Sequence, residues 1–186
     1  PPAPALNEAR ALLRALHAID EAGRLTQAGA AMRKLALPVR LAHMVAEAGS
    51  RGHALEAATL AVLLTERGLG GDSADLERRL LRFRGEKSPR ANAARQLAER
   101  LARQAGGGQG GEAASAGPLL IHAWPDRVAR ARGERGRFVL ANGSGAMVDA
   151  ADPLANETWL VVADLQGKAQ NARITAAAPV GEVDIR

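Results

Sequence analysis

The stretch Ala105–Pro118, AGGGQGGEAASAGP, divides this 186-residue sequence into two parts of different character. Glycine occupies six of its fourteen positions, a composition that favours a flexible linker over a packed helix or strand. The sequence before it has the periodicity of helices, and the sequence after it has the alternation and turn signals of strands. We therefore expect an α+β protein, with an all-α part first and a small β part second.

The part before the linker has apolar residues at helical spacing. Leu6, Leu13 and Leu16 begin the series, Thr26 has the residue type of an N-terminal cap, and Gly68 is a typical stop. Each connection between the periodic segments is brief, which is typical of a helical bundle. The pattern predicts six short helices, at about residues 4–19, 27–35, 38–48, 54–67, 74–84 and 90–104.

Four strand-like segments follow the linker. Residues 137–141 and 146–148 flank Asn142-Gly143, a dipeptide typical of tight hairpin turns. Residues 158–165 form an apolar strand, and residues 172–180 return beside it. A meander of four strands has two open edges and too little mass to bury both faces of its apolar strand. We therefore expect an incomplete antiparallel sheet.

Several classes of chemistry are absent from the sequence. There is no cysteine, which excludes disulfides, thiolate metal ligands and a thiol nucleophile. Gly85-Glu86-Lys87-Ser88 lacks the order of a phosphate-binding loop, and Leu80 stands where the first glycine of that loop belongs. The four histidines are dispersed, without the spacing of metal ligands. We expect no catalytic residue, no metal site and no cofactor held by this chain.

Hydropathy indicates no membrane partner. No apolar run approaches the roughly 20 residues that a membrane-spanning helix needs. The first residues, Pro1 to Pro4, lack the basic start and apolar run of a secretory signal. Together with the lack of cysteine, these features predict a cytoplasmic protein.

Positive charge is concentrated in two stretches. Residues 76–103 hold nine cations and three acids, and residues 126–137 hold five cations and two acids, the last cation being Arg137. The arginine fork suits phosphate oxygens, although an arginine-rich helix face is also found where a helix is merely solvated. Aromatic residues are only 2% of the chain, which disfavours a broad base-stacking surface. The candidates for nucleic-acid binding are Arg78, Arg79, Arg82, Arg84, Arg127, Arg130, Arg132 and Arg135.

Three runs near the start of the chain have a recognisable order. They are residues 11–20 (ALLRALHAID), 23–26 (GRLT) and 37–44 (LPVRLAHM). Together they resemble the region that follows the two RecA-like domains of DEAH-box RNA helicases. Later runs are similar to the bacterial HrpB-type branch of that family: residues 58–67 (ATLAVLLTER), 123–129 (AWPDRVA), 136–143 (GRFVLANG), 152–154 (DPL) and 157–163 (ETWLVVA).

The resemblance implies an accessory region that lacks the ATP-binding RecA-like domains of the helicase. Residues 1–37 would be a winged-helix remnant, 38–104 a ratchet-like helical bundle, 105–118 the Gly-rich linker, and 119–186 a truncated OB-like β segment. ATP and magnesium would be bound by RecA-like domains that this sequence does not contain. In the family, RNA passes between those domains and the accessory region.

Three functions fit this sequence to different degrees. The first is a channel-forming region that grips single-stranded RNA through its backbone, independently of base sequence. The alternative is a docking module that packs on RecA-like domains of the same parent chain and does not bind RNA itself. The third, a free-standing winged-helix DNA regulator, is disfavoured because the helix at 27–35 offers only Arg33 and Lys34 for reading bases.

Overall fold

The computed structural model describes residues 2–107, 113–168 and 170–186. Within them the chain has an α+β fold, with helices first and a five-stranded sheet second. None of the described helices combines the length and the apolar character needed to cross a membrane. The helices are α1 Ala3–Ala15, α2 Gln27–Lys34, α3 Val39–Ser50, α4 Ala54–Thr65, α5 Leu76–Gly85, α6 Pro89–Gln104, α7 Ala116–Ala123 and the short α8 Glu182–Ile185.

All six helices predicted before the linker form, and side-chain caps fix several of their starts. The Thr26 hydroxyl accepts a hydrogen bond from the backbone N–H of Gly29, and the Ser88 hydroxyl accepts one from Ala91. The first helix ends at Ala15, four residues earlier than predicted, and His17 then has a positive φ of 54°. A left-handed residue cannot continue a right-handed helix, so the chain turns there into the loop before α2.

The bundle is built around α4, the most buried of the six helices. Leu60, Ala61 and Leu63 of α4 lie at the centre of the core, with Met44 of α3 and Phe83 of α5 packed around them. A helix that is apolar on nearly all sides is stable in water only when neighbouring elements cover it. Helices α3, α5, α6 and α7 all contact α4.

The sheet is a closed barrel of five strands, in the order β1-β2-β3-β5-β4. Neighbouring strands are antiparallel except for β3 and β5, which run parallel. The prediction of an incomplete antiparallel meander was therefore wrong. The strands are β1 Val128–Ala131, β2 Arg137–Leu140, β3 Gly145–Met147, β4 Trp159–Gln166 and β5 Ala172–Pro179.

Two features of the barrel escaped the sequence pattern. The strand β1, which lies inside the second basic stretch, pairs with both β2 and β4 and so removes the open edges. The predicted hairpin of β2 and β3 forms at Asn142-Gly143, but its turn is not of the type I′ that this dipeptide favours, because only Gly143 has a positive φ. Both details depend on partners distant in sequence or on local backbone angles that composition does not specify.

The bundle and the barrel share one apolar core. Phe138, Leu160 and Ile174 fill the barrel interior, while Val161 and Ala178, on the outer side of β4 and β5, belong to the cluster that continues into the helices. The helix α7 lies between the two parts and contacts α3 as well as β4 and β5. The two parts are therefore packed against each other over an apolar surface.

The end of the predicted linker is helical. The segment 105–107 follows α6 without regular structure, and residues 108–112 lie outside the described residues. The helix α7 starts at Ala116, so the linker prediction was wrong for residues 116–118. Gly117 is required there by close packing, because a Cβ at this position would stand 2.0 Å from the carbonyl oxygen of Pro179 on β5.

Candidate nucleic-acid interface

Arg79, one of the eight candidates, is a core residue. It is only 9% exposed, and its Nη2 donates hydrogen bonds to the carbonyl oxygens of Leu63 (2.8 Å) and Leu69 (3.3 Å). Burial lowers the pKa of Arg79 from its ordinary value, although a guanidinium stays charged in proteins. The side chain ties α5 to the end of α4 and the loop after it, and is not available to phosphate.

The other candidates on α5 are exposed. Arg78 has its Nε 3.9 Å from a carboxylate oxygen of Asp75. Arg82 packs over Gly71, where an added Cβ would lie 2.8 Å from its Nη1. Arg84 borders a cavity of about 330 Å³ between α4, α5 and α6, and three carboxylates line that cavity as well: those of Glu56, Glu77 and Glu99. The three exposed candidates on α5 therefore have surroundings of mixed charge.

Two candidates in the second basic stretch, residues 126–137, are stacked on tryptophans. Arg127 is half-buried, with its guanidinium carbon 5.9 Å from the ring centroid of Trp124, and its Nη1 donates to the carbonyl oxygen of Ala163 at 3.0 Å. Arg130 projects from β1 with its guanidinium carbon 5.3 Å from the ring centroid of Trp159. Cation–π contacts of this kind hold an arginine in place while its outer edge stays in water.

Arg132 and Arg135 lie in the loop between β1 and β2, and both are exposed. Neither makes a side-chain hydrogen bond or ion pair with any residue that the structure describes. A groove of about 870 Å³ runs beside this loop. Its walls are mainly apolar, and they include Ile121, Val139, Trp159 and Ile185, with Arg130 and Arg132 at the polar edge.

A row of outward side chains crosses the barrel and was not among the candidates. Arg137 on β2 pairs in register with Met147 on β3, which pairs with Arg173 on β5, which pairs with Gln166 on β4. Directly paired residues on neighbouring strands share one face, so these four side chains form what we call the outer row. The sequence could place Arg137 in a basic cluster, but only the register shows that Arg173 lies on the same face.

The bundle and the barrel are braced by an ion pair. Arg40, at the start of α3, donates hydrogen bonds from Nη1 and Nη2 to the two carboxylate oxygens of Asp126, at 2.7 and 3.1 Å. The same Nη1 donates to the carbonyl oxygen of Ala123, at the end of α7. Burial alone would raise the pKa of Asp126, but the Arg40 hydrogen bond and charge outweigh it, and the pKa lies below its ordinary value.

Two of the four histidines, His43 and His122, connect neighbouring helices. Nδ1 of His43 lies 2.7 Å from the carbonyl oxygen of His122, which links α3 to α7. Burial lowers the pKa of His122, with smaller contributions from Arg51 and His43, and Glu47 opposes them. Among the described residues, no three side chains of metal-ligating type come together.

Comparisons with known proteins find that the chain is similar to part of an RNA helicase. No protein-family model matches it. It is 40% identical over 181 residues to the ATP-dependent RNA helicase HrpB of Escherichia coli (strain K12), which is 95% of this chain and 21% of that protein. The chain therefore spans about one fifth of the length of this curated relative.

Solved structures agree with the sequence comparison. The crystal structure of the E. coli DExH-box NTPase HrpB matches 100% of this chain and 22% of its own, at 36% identity and a TM-score of 0.84. A second crystal structure, of the Escherichia coli DEAH/RHA helicase HrpB, matches 98% and 22%, at 35% identity and a TM-score of 0.80. The predicted resemblance is confirmed: the chain is homologous to one part of HrpB.

Proposed function

We propose that this chain is a non-catalytic accessory region of an ATP-dependent RNA helicase of HrpB type. In that protein it would help to form the RNA channel and would grip single-stranded RNA through its backbone. The homology to a fifth of HrpB supports the helicase assignment, since the relative is an ATP-dependent RNA helicase by name. ATP and magnesium would be bound by RecA-like domains elsewhere in the parent chain, in the cytoplasm.

The subdomain assignments belong to the same proposal. Residues 1–37 would be the winged-helix remnant and 38–104 the ratchet-like bundle. Residues 119–186 would be the OB-like part, and closure of its five strands into a barrel supports that assignment. The OB-type barrel is a frequent carrier of single-stranded nucleic acid, which is consistent with the proposed grip.

One observation carries the RNA-binding part of the proposal. Exposed arginines occur on both the bundle and the barrel, and six of the eight candidates are exposed: Arg78, Arg82, Arg84, Arg130, Arg132 and Arg135. Arginine on a surface neutralises phosphate without reading the base, so the grip would tolerate any sequence. The buried Arg79 is excluded from the arginines proposed to contact RNA. The half-buried Arg127 would offer at most one edge of its guanidinium to a phosphate.

The shared core gives the proposal a mechanical basis. Because the bundle and the barrel are joined by apolar packing and by the Arg40–Asp126 brace, they would move as one body. ATP-driven movement of the RecA-like pair against that body would shift a strand held on its surface. The accessory region would thus serve as the fixed side of a ratchet.

Sequence tolerance can be tested by fluorescence anisotropy with the full 186-residue chain. The probes are two labelled single-stranded RNAs of unrelated sequence and one DNA duplex. We expect the two RNAs to bind with equal affinity, within about threefold, because phosphate contacts carry no sequence information. A strong preference for one of the two RNA sequences would contradict a sequence-tolerant grip. A preference for the DNA duplex would contradict RNA binding as the function and would favour the hypothesis of a DNA-binding regulator.

The docking alternative is favoured by one observation, the groove beside Trp159. A mainly apolar groove of about 870 Å³ is the kind of surface that a partner domain covers. Under this alternative the RecA-like domains of the parent would bind there. Substitution Val139→Glu at the groove would then abolish binding of separately expressed RecA-like domains, and the chain would not bind RNA with or without the substitution.

A further inference from the structure

The outer row differs from several of the bundle arginines in how its cations are engaged. On the bundle, Arg79 is buried, Arg95 donates to the carbonyl oxygens of Phe83 and Glu86, and Arg90 donates to that of Arg67. These donors are already satisfied by the fold. With Arg78, whose Nε lies 3.9 Å from a carboxylate oxygen of Asp75, four of the nine cations between residues 76 and 103 are thus engaged by the fold.

The two arginines of the outer row are not held by strong hydrogen bonds or ion pairs of this kind. Arg173 makes no side-chain hydrogen bond or ion pair with a residue that the structure describes. Arg137 makes only long contacts, from Nη1 to Oδ1 of Asn171 at 3.4 Å and to Sδ of Met147 at 3.7 Å. Both contacts direct the Arg137 guanidinium along the row, so it is oriented while most of its donors stay free.

The row is outward-facing because of strand alternation. Phe138, Ala146 and Ile174, the chain neighbours of the row residues, are buried in the barrel interior. Their neighbours Arg137 and Arg173 must then point to the opposite side, and both are exposed. Two strand spacings separate Arg137 from Arg173, which places their backbones roughly 10 Å apart on a firm sheet.

Further cations surround the row. Arg132 and Arg135 lie in the loop that enters β2, and the exposed Lys168 lies in the loop that precedes β5. The carboxylates nearby are partly occupied: Asp164 accepts a hydrogen bond from the Thr175 hydroxyl at 2.6 Å. Asp149 accepts one from the backbone N–H of Ala151 at 2.8 Å. Glu134 adds a third carboxylate in the loop before β2, so five cations face three carboxylates and the local balance of charge is positive.

We propose that the outer row, with Arg137 and Arg173 as its two phosphate contacts, is the principal site where this chain grips single-stranded RNA. This inference rests on the function proposed above and narrows it from two basic clusters to one face of the barrel. Met147 lies between the two arginines as an apolar surface for a sugar or base edge, and Gln166 adds a neutral donor at the end. The arginines of α5 then contribute only screened, long-range attraction.

The test compares two variants that remove the same charge. One is Arg137→Ala with Arg173→Ala, and its matched control is Arg78→Ala with Arg84→Ala on α5. RNA affinity is measured by anisotropy over a salt series for the 186-residue chain, using one labelled single-stranded RNA. Thermal melts of each variant check that folding is intact, and Arg137→Lys with Arg173→Lys keeps the charge at the row without the fork.

We expect the row variant to lose about tenfold or more in affinity at low salt. Its salt slope should fall by about 1.4, because each phosphate contact with a single strand contributes about 0.7. The α5 variant should lose less than about threefold with little change of slope, and the lysine variant should keep most of the slope. Equal losses of RNA affinity in the two alanine variants would contradict the outer row as the principal RNA site, while the proposed RNA binding by the chain would still stand. No RNA binding by the unaltered chain would overturn both proposals.

Discussion

Arg40 and Asp126 are joined by two hydrogen bonds of 2.7 and 3.1 Å although 86 positions separate them in the chain. The pair connects the first turn of α3 to the turn that leads into β1. It lies at the boundary between bundle and barrel, where the apolar core continues from one to the other. An ion pair with this geometry fixes orientation more than it adds stability, because one partner is half exposed.

We predict a modest and pH-dependent cost for breaking this pair. Arg40→Ala with Asp126→Ala in a double-mutant cycle should show a coupling of about 1 kcal/mol at neutral pH. The pKa of Asp126 is lower in the folded chain than its ordinary value of 3.8, so the stability from the pair is present above that pH. It is lost as the pH falls through the lowered folded value.

Urea unfolding of the four proteins of the cycle at neutral pH, and at an acid pH below the lowered folded pKa of Asp126, measures this coupling. The coupling should shrink towards zero at acid pH, where Asp126 becomes protonated. A coupling that is unchanged between the two pH values would mean that packing of the Arg40 stem, and not its charge, joins the two parts.

Arg79→Ala should be among the most destabilising substitutions of any arginine in the chain. The change leaves the carbonyl oxygens of Leu63 and Leu69 without their buried donor, which costs roughly 2–3 kcal/mol. The matched control is Arg78→Ala, which removes the neighbouring exposed arginine and should change stability by less than about 0.5 kcal/mol. Urea denaturation distinguishes the two, and equal effects would contradict the structural place assigned to Arg79.

Gly117→Ala tests how closely α7 packs on the barrel. The new Cβ would stand 2.0 Å from the carbonyl oxygen of Pro179, so helix and strand must separate. We expect a loss of about 1–3 kcal/mol in unfolding free energy. Gly85→Ala is the control, because an added Cβ there meets nothing within 4 Å, and it should be neutral or slightly stabilising. A neutral Gly117→Ala would mean that α7 is not held against β5.

The helices were predictable because their signal is local. Periodicity and caps such as Thr26 and Ser88 act within one or two turns, and the predicted α2 to α6 agree with the structure to within about three residues at each end. The helix α7 was missed because Gly117 and Pro118 are helix breakers by composition. They are tolerated at its first turn, where Pro needs no partner for its missing N–H and Gly allows close packing.

The barrel was less predictable because its closure is not local. The strand β1 has only four residues, and the sequence shows its segment only as part of the basic stretch 126–137. The parallel pairing of β3 with β5 depends on register between distant segments, which a single sequence does not display.

The candidate site likewise contains residues that a local sequence signal identifies and residues that only the fold brings together. The exposed arginines were found from charge alone, whereas the burial of Arg79 had a local signal that the charge count hid. Arg79 lies three residues after Leu76 and four before Phe83, on the buried face of α5. The outer row had no local signal, because it exists only where four strands align.

The salt dependence of RNA binding tests the central claim most directly. The measurement is the slope of log K against log salt concentration for the unaltered 186-residue chain and a labelled single-stranded RNA. Contact by the two arginines of the outer row and at least one flanking cation predicts a slope of about −2 or steeper. Binding that does not depend on salt, or no binding at low salt, would contradict a phosphate grip by this chain and would leave docking on the RecA-like domains as its function.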